Sequence, residues 1–215
     1  MIRVIQGIDT PNFPREVDAM FKARALVFRD RLGWNVTVKE GREIDRYDKF
    51  NPLYLLCIDD TSGAIRGSLR LLHTTGPNLL RDQFSAFFDQ PLVIESQKIW
   101  ECTRFCVHPE SGGQDITATG AMRTTWEMML GICEVGLMAG LTHIQGVYNQ
   151  YMIRVYRKTR WTPRPIASTA RFGSVTVYVG LWEVSRSALE EMRCASSIHH
   201  SVLEMQSAVP LSDVA

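Results

Sequence analysis

Val17, Met20, Phe21, Arg24, Val27, Phe28 and Arg31 recur at i, i+3, i+4 and i+7, which predicts an amphipathic helix over residues 13–32, ending near Gly33. One arginine, Arg24, stands inside its apolar stripe. Residues 33–51 show no period and carry Gly33, Gly41, Asn51 and many charges ahead of Pro52, so they predict a long loop of the kind that often holds function. Apolar runs over Leu53–Asp59 and Ala64–His73 predict two strands, joined as a hairpin by Asp59-Asp60-Thr61-Ser62-Gly63. An irregular stretch with short helical pieces, residues 79–89, precedes a strand over Lys98–Val107, which His108-Pro109-Glu110-Ser111-Gly112-Gly113 closes. A Met- and Leu-rich helix then runs from Thr117 to about Ala139, followed by a buried strand over Ile144–Tyr148, a short basic helix over 149–160 and a final strand over Ser174–Glu183. Helices interleaved with mostly consecutive strands predict an α/β fold, a three-layer α/β/α sandwich around a sheet of mixed strand direction. Residues 1–183 are expected to form one domain and 184–215 a C-terminal helix with a fraying tail.

A chain of 215 residues can bury a substantial core, roughly 70% of its extended surface. The formal charge is +1, and 45% of residues are hydrophobic, which excludes disorder and an overall polycation. No apolar run approaches the ~20 residues needed to cross a bilayer, and the first nine residues lack the apolar stretch of a secretory signal. A cytoplasmic protein without stable membrane insertion is expected. Cys57, Cys102, Cys106, Cys133 and Cys194 are odd in number, lie in apolar segments and form no C-x-x-C pair, so they are expected to be reduced core residues. His73, His108 and His143 stand alone and His199-His200 lies in a polar tail; no metal site is expected.

Two constellations carry chemistry. Three cations, Arg24, Arg70 and Arg104, and three anions, Asp45, Asp48 and Glu101, accompany Phe28 and Trp34 around the first helix, the loop and two strands. They are either structural salt bridges reaching solvent on long stems or a site shaped for a zwitterion. Buried ion pairs are a weak stabilising device, which favours the second reading. In a regular strand Glu101 and Arg104 point to opposite faces, so if both serve one site a β-bulge or the strand end must re-aim one of them. The second constellation is electrostatic: Val135–Trp182 holds no Asp or Glu, where 23 acids in 215 residues would place about five, yet it holds Arg154, Arg157, Lys158, Arg160, Arg164 and Arg171. A one-sign patch on a near-neutral protein suits an acidic macromolecule. No nucleic-acid motif accompanies it, so nucleic acid is not the expected partner.

Arg24-Ala25-Leu26-Val27-Phe28, Leu32-Gly33-Trp34, Glu43-Ile44-Asp45-Arg46-Tyr47-Asp48, Gly67-Ser68-Leu69-Arg70-Leu71 and Trp100-Glu101-Cys102-Thr103-Arg104-Phe105 occur in this order. Together they resemble the LuxI-type acyl-homoserine-lactone synthases, the autoinducer synthases of bacterial quorum sensing, over roughly residues 1–183. The resemblance implies a mostly antiparallel sheet similar to the GCN5-related N-acetyltransferases, with a bulged central strand that splays from its neighbour to admit a thioester arm. It implies acyl transfer from acyl carrier protein or acyl-CoA to the amine of S-adenosylmethionine, a substrate rather than a cofactor, then lactonisation with release of 5′-methylthioadenosine. Arg24, Phe28, Trp34, Asp45, Asp48 and Arg104 supply the charges and aromatic faces such a substrate needs. Glu101 is the candidate general base, with backbone N–H groups around Thr103–Phe105 for the oxyanion, and Arg70 the organiser of Asp45 and Asp48. The resemblance further implies carrier docking at Arg154, Arg157 and Lys158, with Gln150 where some members have lysine, and Thr142 as a weak acyl-pocket position that is equally well a strand-start hydroxyl. The alternatives are another N-acyltransferase of this fold acting on a different amine, and a non-catalytic ligand-binding protein.

Overall fold

The computed structural model describes residues 1–108 and 122–204. Seven strands form one sheet: β1 (Ile2–Gln6), β4 (Leu53–Ile58), β5 (Ile65–His73), β6 (Ile99–Val107), β7 (His143–Asn149), β9 (Val175–Glu183) and β8 (Arg164–Phe172), in that spatial order. A separate two-residue hairpin, β2 (Val38–Lys39) and β3 (Arg42–Glu43), stands in the predicted loop. Every pair in the large sheet is antiparallel except β6 with β7. The predicted β4–β5 hairpin, β6, β7 and β9 are present, whereas β1 and β8 are strands that periodicity did not announce.

The helices are α1 (Pro14–Ala25), α2 (Arg123–Met138), α3 (Met152–Lys158) and α4 (Arg186–Ser196). Alternation along β4 divides its residues between two layers. Leu53, Leu55 and Cys57 meet α2 residues such as Trp126 and Met129, while Tyr54, Leu56 and Ile58 meet Met20 of α1. Gly67 lets α2 press onto β5, since a Cβ there would lie 2.4 Å from Met128 Sδ. Leu189 and Met192 of α4 join the same layer. On the α1 side, Leu80, Phe84, Phe88, Leu92 and Ile94 cover Val147, Ile166 and Val179. The result is the predicted three-layer sandwich.

Three local departures matter. The helix expected over 13–32 is regular only to Ala25; Leu26–Arg31 continue it as a wider turn, with Leu32 N donating to Val27 O at 3.0 Å. Such turns recur at functional sites. The helix start at Thr117, the Ser111-Gly112-Gly113 turn and the tail from residue 205 lie outside the described residues. After α4 the chain returns to the β1 edge, where Ile2 N donates to Val202 O and Glu204 N to Ile2 O. Cys57, Cys106 and Cys133 are buried and Cys102 partly so, but Cys194 is exposed, a correction to the all-core expectation. Among the described residues no helix is long and apolar enough to cross a membrane.

Candidate active site

Of the two devices that could re-aim Glu101 or Arg104, a β-bulge or the strand end, the bulge is present. Ser68 pairs with Cys106 and Arg70 with Thr103, so Leu69 faces two residues, Arg104 and Phe105, on β6. Arg104 has φ +52°, a conformation strained for a non-glycine residue. The consequence is a change of face: Trp100, Cys102 and Phe105 join the α2 layer, while Thr103 meets Arg70, Arg104 reaches Glu43 and Asp45 of the loop, and Cys106 meets Val27 and Phe28. A second irregularity adjoins it. The parallel β6–β7 pairing ends at Cys102–Gly146, although the strands run on to Val107 and Asn149. Between them a wedge opens along the backbone of Thr103–Phe105.

Below the bulge three arginines interlock with three carboxylates. Arg24 Nε donates to Glu43 Oε2 at 2.6 Å, and its Nη1 and Nη2 to the two oxygens of Asp48 at 3.0 and 3.1 Å. Arg70 donates to both oxygens of Asp45 at 2.6 and 2.9 Å, to Asp48 Oδ1 at 2.8 Å and to Thr103 Oγ1 at 3.0 Å. Arg104 Nη2 lies 2.9 Å from Glu43 Oε1 and 2.8 Å from Asp45 Oδ2. Arg24, Arg70 and Glu43 are at most 1% exposed and Arg104 is 10% exposed, so Arg104 is the arginine nearest solvent. Burial alone raises the Asp48 carboxyl, but the charges of Arg24 and Arg70 outweigh it and hold the group well below the usual carboxylate range. Asp45 and Asp48 also cap the turn Arg46–Lys49 reciprocally, and Tyr54 donates its hydroxyl to Asp48 at 2.8 Å.

Phe28 and Trp34 stack with ring centroids 5.0 Å apart, and the Arg104 guanidinium lies 5.3 Å from the Phe28 centroid. Trp34 leaves 48% of its surface exposed, an aromatic wall beside the bulge. The wide turn Leu26–Arg31 delivers it, with Trp34 N bonded to Phe28 O.

Glu101 departs from the expected set. It does not join the arginine cluster; the third anion there is Glu43, which stands in the Glu43–Asp48 motif but carries no periodicity to mark it as buried. Glu101 is wholly buried and accepts from Leu79 N on Oε2 and from Leu80 N on Oε1, both at 2.7 Å, and from Gln145 Nε2 on Oε1 at 3.1 Å. Burial pushes its carboxyl upward, opposed by these donors and by Arg70. Thr142 lies at the start of β7, exposed, donating to Lys98 O at 3.2 Å; the structure brings it neither to the cluster nor to the wedge. Arg154 and Arg157 are exposed on α3, which starts three residues beyond β7 at the open end of the wedge, and Lys158 is half-buried. Gln150 is committed to the edge of β9, accepting from Thr176 N at 3.2 Å.

The autoinducer synthase family model matches residues 12–192. The chain belongs to the autoinducer synthase family. An acyl-homoserine-lactone synthase of Rhizobium etli is 42% identical over 212 residues, covering 98% of this chain and 95% of the relative. The structure of the CoA-dependent acyl-homoserine lactone synthase BjaI with SAM and isopentyl-CoA has a TM-score of 0.81 at 18% identity, over 95% of this chain and 92% of that one. A putative N-acetyltransferase from Lactobacillus plantarum matches with a TM-score of 0.55 at 14% identity, over 86% and 99%, and shares the fold alone. This autoinducer synthase is accordingly an acyl-homoserine-lactone synthase, an acyltransferase on an α/β sandwich with a splayed, bulged central strand.

Proposed function

We propose that the bulge residues and the Phe28–Trp34 wall hold S-adenosylmethionine while a fatty acyl thioester enters the wedge. One observation carries this reading: the bulge turns Arg104 onto the face of Glu101 and Thr103 at the point where β6 loses its β7 partner. Arg24 and Arg70 have their donors committed to Glu43, Asp45, Asp48 and Thr103, so they act by fixing the loop carboxylates. Arg104 spends Nε and Nη2 on Glu43 and Asp45; its Nη1, which has no hydrogen-bond partner among the described residues, is left to meet the substrate carboxylate, and the electron-rich faces of Phe28 and Trp34 suit the sulfonium.

Glu101 takes a proton from the substrate ammonium, directly or through one water; its raised proton affinity brings it nearer the working range of a general base. The freed amine attacks the thioester carbonyl, the N–C bond forms, the C–S bond breaks, and the carrier leaves as a thiol. Backbone N–H groups of Thr103–Phe105 face the developing oxyanion. In the second step a carboxylate oxygen attacks the γ-carbon and the sulfonium departs as 5′-methylthioadenosine, a step in which positioning supplies much of the acceleration. The donor is a thioester on acyl carrier protein, received by Arg154, Arg157 and Lys158, or on coenzyme A. The reaction runs without a cofactor.

Incubating the purified chain with S-adenosylmethionine and acyl thioesters of graded length on both carriers, and measuring 5′-methylthioadenosine, tests the assignment. Release that depends on the thioester is expected, with loss of at least a hundredfold in Glu101→Gln. No release with any donor overturns it.

A further inference from the structure

Gln145 lies where β6 and β7 part. It faces Glu101 across the parallel pair, one position before the last paired residues, Cys102 and Gly146. The side chain is fully buried; Nε2 donates to Glu101, and Oε1 has no hydrogen-bond partner among the described residues. Further along the same face, Val147 of β7 and Val179 of β9 pack with Leu80 and Phe88 in an apolar layer. An amide here loses hydration at both ends and recovers one bond, whereas leucine or methionine would pack without that cost. Leu79 and Leu80 already anchor both carboxylate oxygens of Glu101, so the fold has no need of a third donor.

The lone-pair count explains the third donor. Oε1 of Glu101 accepts from Leu80 N and Gln145 Nε2, which fills it, while among the described residues Oε2 accepts only from Leu79 N and keeps one site. We propose that Gln145 is a positioning residue for Glu101: it saturates one oxygen, leaves a single lone pair on the other to receive the amine proton, and steadies the carboxylate in its charged form. This rests on the reading of Glu101 as the base.

The charges around Glu101 fix the sign of the effect. From β5, Arg70 lowers its proton affinity, and burial disfavours the charged form of His73. On β6 the Cys102 thiol is pushed up to about 12 and is neutral. Arg81 and Asp82, in the segment covering Glu101, turn away to Gly76 and Arg46. On β7, His143 bonds to Thr142. Removing the Gln145 donor therefore leaves burial less opposed, and the carboxyl titrates higher.

The test is the pH dependence of kcat/KM for 5′-methylthioadenosine release in the parent, Gln145→Met, Gln145→Glu and Glu101→Gln. Titration of the substrate amine is common to all four, so differences belong to the enzyme. Gln145→Met is expected to move the acid limb upward by about one pH unit. Gln145→Glu should move it further, because adjacent carboxyls share a proton. KM for S-adenosylmethionine should stay within about twofold. If Gln145→Met does not fold, Gln145→Glu decides alone. An unmoved limb, or a loss of rate equal at every pH, overturns the positioning role while Glu101→Gln still abolishes activity. A Glu101→Gln enzyme with parental rate and limb overturns both readings.

Discussion

Replacing Glu43 with Gln removes one charge from the centre of the arginine cluster while keeping the shape of the side chain. Glu43 is fully buried and bridges Arg24 at 2.6 Å and Arg104 at 2.9 Å, so the variant leaves cationic groups facing a neutral amide at a position withdrawn from solvent. Breaking a buried ion pair by removing one partner costs about 3–5 kcal/mol; the retained amide oxygen places this change near the lower figure, about 3 kcal/mol. For a domain of this size each kcal/mol lowers Tm by about 2–4 °C, so thermal unfolding followed by circular dichroism should show a drop of about 6–12 °C. Asp30→Asn is the control: its pair with Arg29 is exposed at 43% and 48%, and a change of no more than about 1 °C is expected. Raising salt should narrow the parental margin over Glu43→Gln very little, since buried pairs are screened weakly. A Glu43→Gln melting point within about 2 °C of the parent would refute the placement of Glu43 between the two arginines.

Trp34→Ala should leave stability nearly unchanged, because the ring is half-exposed, and should raise KM for S-adenosylmethionine about tenfold through loss of about 1–2 kcal/mol of cation–π attraction; steady-state kinetics decide it. Asp48 has a depressed folded-state carboxyl, so its stabilisation is complete above the unfolded value near pH 4 and is lost as pH falls from there toward the folded value. Urea unfolding at pH 6 and pH 3.5 should show a loss in the parent that Asp48→Asn shares to a smaller degree. Raising salt from 50 to about 300 mM should increase KM for a carrier-protein thioester more than KM for S-adenosylmethionine, and Arg154→Ala with Arg157→Ala should flatten that dependence. Equal salt effects on both substrates count against docking on α3.

Parity along β6 was the most productive reading of the sequence. Glu101 and Arg104 are three residues apart, an odd number, so if both serve one site a bulge or the strand end has to re-aim one of them, and a bulge is found at Arg104. The hairpin β4–β5 and strands β6, β7 and β9 were equally legible, because each is apolar enough to mark its own length. The two strands of the large sheet that carry no clear signal are at its edges. β1 interleaves Arg3 and Gln6 with its apolar residues, and β8 contains Pro165 and exposes much of its length, so neither carries a clean alternation. Glu43 escaped for another reason: it sits in a two-residue strand inside an aperiodic loop, and only the folded positions of Arg24 and Arg104 reveal it as buried. Assigning Glu101 to the cluster was wrong in geometry, since the amides that hold it belong to residues 79 and 80, whose approach no local pattern announces.

The cluster and the wedge are one structural problem. A strand that leaves its parallel neighbour after four paired residues gives up ladder hydrogen bonds on that side, and a bulge at the same place loosens the other. Arg104 tethers the loosened strand to Glu43 and Asp45, and Arg70 tethers Thr103 and the loop carboxylates together, so the opening is held by charged groups rather than by backbone pairing. Hydrophobic residues could stabilise such a junction at least as well, since ion pairs repay their desolvation poorly. They would also close it. Six charged groups that are bonded to one another and reluctant to pack against an acyl chain keep the cleft open and polar on one face, while Cys102 and Phe105 keep the opposite face apolar. The division suits a reaction that must bring a zwitterion and a fatty thioester to the same carbonyl from opposite sides of one strand.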